Sequence, residues 1–167
     1  AYVETVPVGV VGVITPWNYP LALTMMDVIP ALMAGNSVVH KADNQTAMTV
    51  HLARDLAIQA GVPEDVWQIV HGDPAEVGNA VTDNADYVAF TGSTPTGRMV
   101  AERAAKRLIG YSLELGGKNP MIVLPGANLE QAAEIALGGN DVFDLTDLAG
   151  FYFEAYRQKA RRVVLHD

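Results

Sequence analysis

The run Val8-Gly9-Val10-Val11-Gly12-Val13-Ile14 is apolar or glycine at every position, and no other feature restricts the fold as much. A strand with one wet face alternates apolar and polar side chains, whereas an unbroken run suits a strand covered on both faces. Such cover arises in parallel sheets, where the connecting helices lie on each side. The run breaks at Thr15-Pro16-Trp17-Asn18-Tyr19-Pro20, where two prolines bar ladder pairing. A loop is therefore expected at the strand's carboxyl end.

The remaining sequence alternates in the same way. Residues 21–34 are apolar nearly all round and predict a buried helix, stopped by Gly35-Asn36. Residues 37–40 predict a strand leading into Lys41-Ala42-Asp43-Asn44. Residues 46–60 read as an amphipathic helix with Val50, Leu52, Ala53, Leu56 and Ala57 inward, Arg54 and Asp55 outward, and Gly61-Val62-Pro63 ending it. A strand at 66–70, a short helix at 75–82, a strand at 87–90 and a helix at 96–108 precede the strand that carries Glu114. Beyond it, 121–124 predict a strand, and Asn128 caps a helix to about Leu137 before the break Gly138-Gly139-Asn140. Residues 141–161 look mostly helical with a bend near Gly150, and 163–165 form a possible closing strand. Strand and helix in alternation specify an α/β fold, a parallel sheet with helices on both faces. With 167 residues and no repeats or linker, one domain is expected.

The net charge of -8 argues against a nucleic-acid partner and against an anionic membrane surface. No apolar run reaches the roughly 18 residues needed to cross a bilayer. The sequence opens Ala1-Tyr2-Val3-Glu4 with no basic or signal-like stretch, so a cytoplasmic location is expected. The absence of cysteine excludes disulfides, cysteine-based metal sites and a cysteine nucleophile. No metal site is expected.

In sheets of this kind ligands bind beyond the carboxyl ends of the strands. The loops there are 15–20, 41–44, 72–75, 91–97 and 115–118, a pattern that converges on one shared site. In Phe90-Thr91-Gly92-Ser93-Thr94-Pro95-Thr96-Gly97 a strand, a Gly-Ser turn and a helix start offer backbone N–H groups at the positive end of a helix dipole, suited to a phosphate. The alternative is plain capping by Ser93 or Thr94. The Gly-x-Gly-x-x-Gly dinucleotide fingerprint is missing. Lys41 could meet ribose hydroxyls or a phosphate, or be an ordinary solvated lysine. Asn18, on a loop stiffened by prolines, could aim its amide at a reacting carbonyl or simply serve the turn. In Ser112-Leu113-Glu114-Leu115-Gly116-Gly117-Lys118-Asn119-Pro120 a carboxylate in an apolar run is a candidate general base, because burial would raise its pKa. The alternative is a strand end with the glutamate in solvent.

Together Pro16-Trp17-Asn18-Tyr19-Pro20, Phe90-Thr91-Gly92-Ser93 and Leu113-Glu114-Leu115-Gly116-Gly117-Lys118-Asn119-Pro120 resemble the aldehyde dehydrogenase superfamily, in that family's order and spacing. The resemblance covers residues from about Val6 to Leu137. It implies a variant Rossmann NAD(P)-binding core over 1–140, incomplete here, with a diverged segment over 141–167. It further implies that Asn18 helps form the oxyanion hole and that Thr15, Pro16 and Trp17 line the nicotinamide channel. Lys41 would hold the adenosine ribose, Gly92 and Ser93 the pyrophosphate, and Glu114 would act as general base. Leu115 and Gly116 would lie near the nicotinamide amide. The implied chemistry is an oxidoreductase reaction, NAD(P)+-dependent oxidation of an aldehyde to a carboxylic acid, with a semialdehyde-oxidising, succinate-semialdehyde dehydrogenase-like kind as one option.

Three departures accompany the resemblance. The family's Lys-Pro-x-Glu is here Lys41-Ala42-Asp43-Asn44, so Asn44 stands where an acid would read the ribose 2′-hydroxyl, unless Asp43 substitutes for it. Without that carboxylate a 2′-phosphate meets less repulsion, which leaves both NAD and NADP open. The family's nucleophilic cysteine is absent; alternative alignments put Arg157 or Ala160 in its slot, and neither can attack a carbonyl. The chain is also a fraction of the family's length, so an exposed edge and apolar face are expected, with homo-oligomerisation or association with the missing parts. A chain with these departures is expected to be inactive alone. The alternatives are a non-catalytic nucleotide-binding module and a structural or oligomerising domain.

Overall fold

The computed structural model describes residues 6–117 and 121–139. It contains two compact units, residues 1–116 and 117–167. The first holds a five-stranded sheet, all parallel, in the order β3-β2-β1-β4-β5. Its strands are β1 (Val10–Ile14), β2 (Ser37–Lys41), β3 (Trp67–Val70), β4 (Tyr87–Gly92) and β5 (Gly110–Leu115). Between them run α1 (Pro20–Met33), α2 (Ala47–Gln59), α3 (Pro74–Asn84) and α4 (Thr94–Arg107). This is the strand order of a Rossmann-like doubly wound sheet.

The unbroken apolar run does become the central strand. Val11 and Val13 point into the layer under α1 and α2, where they pack with Val28, Ala31, Val38, Val50, Ala53 and Trp67. Gly12, on the opposite face, lies under α3: a Cβ there would meet Val81 Cγ1 at 2.8 Å and Ala85 Cβ at 3.0 Å. Val88, Phe90 and Val100 of α4 fill the remainder of that second layer. The Arg103 guanidinium on α4 pairs with Asp83 of α3 at 2.6 Å and 3.1 Å, and holds the Asp83 carboxyl below its usual range.

The helix ends have local causes. Gly35, at φ 84, turns the chain after α1, and Asn36 then clamps the junction. Its Oδ1 accepts from the N–H groups of Val8 and Gly9 at 2.7 and 3.1 Å, while its Nδ2 donates to the Ala31 carbonyl at 2.9 Å. Asp73 caps α3 by accepting from the N–H groups of Ala75 and Glu76.

Several expectations need correcting. The first helix is not buried all round: Leu21, Met26, Ile29 and Met33 are exposed. In α2, Val50 and Ala53 face inward as expected, yet Leu52 and Leu56 lie in solvent. Arg54 is not free on the outside, since its guanidinium donates to the Trp67 and Glu64 carbonyls. That contact ties α2 to the 3-10 turn Glu64–Val66, which displaces the start of β3 to Trp67. An amphipathic pattern ranks residues by polarity, and a long side chain can still bury its stem and bond its tip locally. The expected exposed apolar face is present on α1 and α2.

In the second unit α5 (Leu129–Gly139) is capped by Asn128, whose Oδ1 accepts from the N–H groups of Glu130 and Gln131. The helix continues through the expected break at Gly138-Gly139, and residues 121–124 form no strand. A short apolar run satisfies a strand pattern without securing a ladder partner. The expected boundary at 140, the elements assigned to 141–167 and the alternative cysteine slots Arg157 and Ala160 lie outside the described residues, as do Lys118, Asn119 and Pro120. Among the described residues no helix is long and apolar enough to cross a membrane, and no group of three or more His, Cys, Asp or Glu side chains is placed to hold a metal ion.

Candidate cofactor site

The chain leaves β1 for β2 and β3 on one side, then crosses back to β4 on the other. The crevice at the carboxyl ends of β1 and β4 is therefore the topological switch point, where doubly wound sheets take ligands. Register brings the expected loops to that rim. Ile14 pairs with Lys41 on one side and Phe90 on the other, while Thr91 and Gly92 pair with Glu114 and Leu115. Thr15 to Asn18, Lys41, Gly92, Ser93, Glu114, Leu115 and Gly116 thus share one edge of the sheet.

Thr15 is buried, and its hydroxyl lies 2.8 Å from His40 Nε2. Pro16 and Asn18 are half-buried and Trp17 is exposed. Tyr19 caps α1 in the left-handed region, at φ 46, and Pro20 opens the helix. A non-glycine residue there is uncommon and fixes the direction in which the loop returns. That conformation ties the orientation of Asn18 to the start of α1.

Lys41 is 4 % exposed, so the solvated reading is wrong. Its Nζ donates to the Ala42 carbonyl at 2.7 Å and to Asn44 Oδ1 at 3.3 Å. An ammonium has three donors, which leaves one for a hydroxyl or phosphate oxygen. Burial lowers its pKa, and the nearby carboxylates of Asp43 and Asp73 oppose that shift. Asp43 Oδ1 accepts from the Gln45 N–H at 2.9 Å, a local turn, and the residue bonded to Lys41 is Asn44. Asn44 in turn donates to the Gly72 carbonyl at 3.0 Å.

Ser93 is the N-cap of α4, as the plainer reading of that loop expected. Its Oγ accepts weakly from the Thr96 N–H at 3.4 Å and pairs with Thr96 Oγ1 at 2.9 Å. Capping and anion binding are compatible here, because the side chain is exposed at the positive end of a 14-residue helix. Gly97 is buried one turn on; a Cβ there would overlap Leu115 Cδ2, and α4 approaches β5 closely for that reason. Gly92 lies against the Phe90 ring in the same manner.

Glu114 is exposed rather than buried, so the expectation that burial activates it does not hold within the described residues. It lies on the last strand in the sheet order, where, among the described residues, β4 alone flanks it. Its charge is felt by Asp27 of α1, whose pKa is raised by burial and then by Glu114. Asp27 went unnoticed in the sequence, where it is a single carboxylate inside an apolar helix. Also overlooked were His51 and His71, whose Nε2 atoms lie 2.7 Å apart. His71 directly follows an apolar strand, the same signal that singled out Lys41. Among the described residues an apolar groove of about 190 Å³, lined by Val10, Val39, Val70, Val77 and Val81, includes none of the expected site residues.

Comparison with known proteins bears on the family and the fold. A protein of Mycolicibacterium smegmatis, provisionally named succinate-semialdehyde dehydrogenase [NADP(+)], is 55 % identical over 130 residues, 78 % of this chain and 25 % of its own length. The succinate semialdehyde dehydrogenase of Acinetobacter baylyi is 46 % identical over 133 residues, 78 % of this chain and 28 % of its own. The chain thus spans about a quarter of the length of these relatives. Among solved structures, an NADP-dependent enzyme of E. coli superposes with a TM-score of 0.75 at 44 % identity, over 80 % of this chain and 28 % of that one. Betaine aldehyde dehydrogenase from Staphylococcus aureus, in complex with NAD+, gives 0.73 at 39 % identity over 80 % of this chain and 27 % of its own. The model of the aldehyde dehydrogenase family matches residues 1–143, and the chain belongs to that family.

Proposed function

We propose that this chain is the nucleotide-binding part of an NAD(P)+-dependent aldehyde dehydrogenase acting on a semialdehyde. The observation that carries the reading is the register across β2, β1, β4 and β5, which aligns Lys41, Thr15, Gly92 and Leu115 along one rim. The residues there fit a dinucleotide. Lys41 has a donor to spare for a ribose hydroxyl, and the first turn of α4 behind Gly92 and Ser93 offers N–H groups to a pyrophosphate. Thr15, Pro16 and Trp17, with Leu115 and Gly116, would border the nicotinamide. When bound, the nicotinamide supplies a hydride acceptor.

Asn18 would donate its amide to the carbonyl oxygen as negative charge develops there. Glu114 would take a proton from the water that releases the acid. Its exposure here calls for cover from outside the described residues before burial could raise its basicity. Asp43 is committed to its own turn, and Asn44 beside Lys41 brings no carboxylate to repel a 2′-phosphate. Together with the NADP names of the relatives, this favours NADP without excluding NAD. The succinate-semialdehyde names of the same relatives support a semialdehyde substrate. The exposed apolar face of α1 and α2 supports assembly with further parts of the enzyme or with a second copy.

Calorimetric titration with NAD+ and NADP+ tests the binding half of this reading. Heat from either coenzyme is expected, and none from both would leave only a structural domain. The chemical half predicts no NADH or NADPH absorbance when the chain meets coenzyme and a panel of aldehydes, because the sequence has no thiol. Turnover would overturn that expectation.

A further inference from the structure

We propose that the His51–His71 pair is a positioning clasp for Lys41 and makes nucleotide binding by this chain pH-dependent. The inference deepens the cofactor reading above and rests on it. His51 projects from α2, and His71 follows the last residue of β3, Val70, which is the register partner of Lys41. The two Nε2 atoms are 2.7 Å apart, with ring centroids at 5.0 Å and planes tilted by 47°. At that separation one imidazole donates N–H and the other offers its lone pair.

The contact reaches the rim through two further hydrogen bonds. Gly72, the next residue, accepts from Asn44 Nδ2 at 3.0 Å, and Asn44 Oδ1 accepts from Lys41 Nζ at 3.3 Å. Gly72 itself sits at φ 140, and a Cβ there would meet Val77 Cγ2 at 2.6 Å, so the turn requires glycine, whose own backbone is permissive and takes its direction from its neighbours. Fixing His71 fixes the Gly72 carbonyl, then the Asn44 amide, then the direction of the ammonium.

The pair's protonation decides whether it holds. One added proton still leaves an imidazolium donating to a neutral partner. A second removes the last lone pair, and two N–H groups of like charge face each other. Of the charged groups around the clasp, Lys41 of β2 opposes that second proton on His71, and His71 in turn adds to burial in lowering the pKa of neighbouring His40. The carboxylates of Asp43 and Asp73 act in the other sense by favouring the charge on Lys41. Burial, and then the charges of His51 and Lys41, hold the His71 pKa below the ordinary histidine value. The clasp is closed at neutral pH and opens in acid, so affinity falls as pH falls.

The test is calorimetric titration of the full chain with NAD+ between pH 7.5 and 5.0. NAD+ is chosen because a 2′-phosphate would itself titrate near pH 6. Constant affinity down to pH 6.5 and about tenfold weaker binding at pH 5.0 are expected. In His71→Gln the amide can donate to His51 without titrating, so affinity at pH 7.5 stays within about threefold and the acid loss disappears. His71→Ala should bind at pH 7.5 about as weakly as the parent does at pH 5.0, with no further acid loss of this kind. An acid loss unchanged in His71→Gln, or parental affinity in His71→Ala, overturns the proposal; global acid unfolding would strike parent and His71→Gln alike. Nitrogen chemical shifts of the imidazoles in the unaltered chain give a readout that needs no variant. One protonated and one bare Nε2 are expected at pH 7.5, and two rings titrating independently at the ordinary histidine pH refute the clasp. NAD+ binding that is flat in pH sinks the clasp alone, whereas no binding at any pH sinks the cofactor reading and the clasp together.

Discussion

Thr15 and His40 meet across the β1–β2 pair, hydroxyl to Nε2 at 2.8 Å, with both side chains buried. The imidazole also stacks on Trp67, centroids 6.3 Å apart, and among the described residues its Nδ1 has no hydrogen-bond partner. The neutral ring therefore helps fix the first residue of the β1–α1 loop, at the rim where Asn18 and Trp17 follow.

Burial, then His71 and Lys41, lower the His40 pKa from 6.5 to about 3. A depressed histidine pKa means that the unfolded chain takes the proton first. The stability His40 lends is complete above pH 6.5 and is lost as the pH falls toward 3. Between pH 6.5 and 5 this loss is about 2 kcal/mol. Urea unfolding at the two pH values should show it in the parent and show a flatter dependence in His40→Leu. Equal slopes would mean that another group carries the acid sensitivity.

Gly12→Ala should destabilise the chain by about 1–3 kcal/mol, since the new methyl meets the stiff Val81 side chain and the Ala85 Cβ. Thermal unfolding measures the cost. A second change, Val81→Ala, makes room and should recover part of it, and an unaltered melting temperature in Gly12→Ala would show that α3 can lift away from β1 freely.

Asn36→Ala removes the acceptor for the Val8 and Gly9 N–H groups and the donor to Ala31. Stranding these groups should cost about 1–3 kcal/mol. Asn36→Asp keeps the acceptor and loses the donor, so its loss should be the smaller of the two in denaturant titration.

Ser93→Asp separates the two roles of Ser93. Aspartate is as good an N-cap as serine, so the melting temperature should hold. Its charge should repel a pyrophosphate at the start of α4 and weaken coenzyme binding by at least about tenfold. Unchanged affinity in a well-folded Ser93→Asp chain would take Ser93 out of the site.

The sheet was legible because its strands are short, apolar and separated by glycine or proline stops, and each of β1 to β5 lies within a few residues of its expected place. The switch-point loops were legible for the same reason: carboxyl ends of parallel strands are where unusual residues gather. What could not be read was the environment of single side chains. Lys41 looked like a surface lysine because sequence carries no sign of Ala42 and Asn44 folding back to meet its ammonium. For Glu114 the apolar neighbours left burial and a solvent-facing strand end both open, and the exposed outcome follows from β5 having, among the described residues, one flanking strand. The His51–His71 contact joins residues 20 apart, and only packing of α2 against the end of β3 brings them together.

The central place of β1 has a consequence for synthesis. Val11 must wait for Tyr87 to emerge before its second flank is paired. At ordinary elongation rates that interval is on the order of ten seconds. Throughout it a nascent chain on the ribosome carries a ready ladder of unmatched amides and carbonyls along its most apolar segment. Any slowing of translation before β4 would lengthen the time for which that ladder is available to another chain.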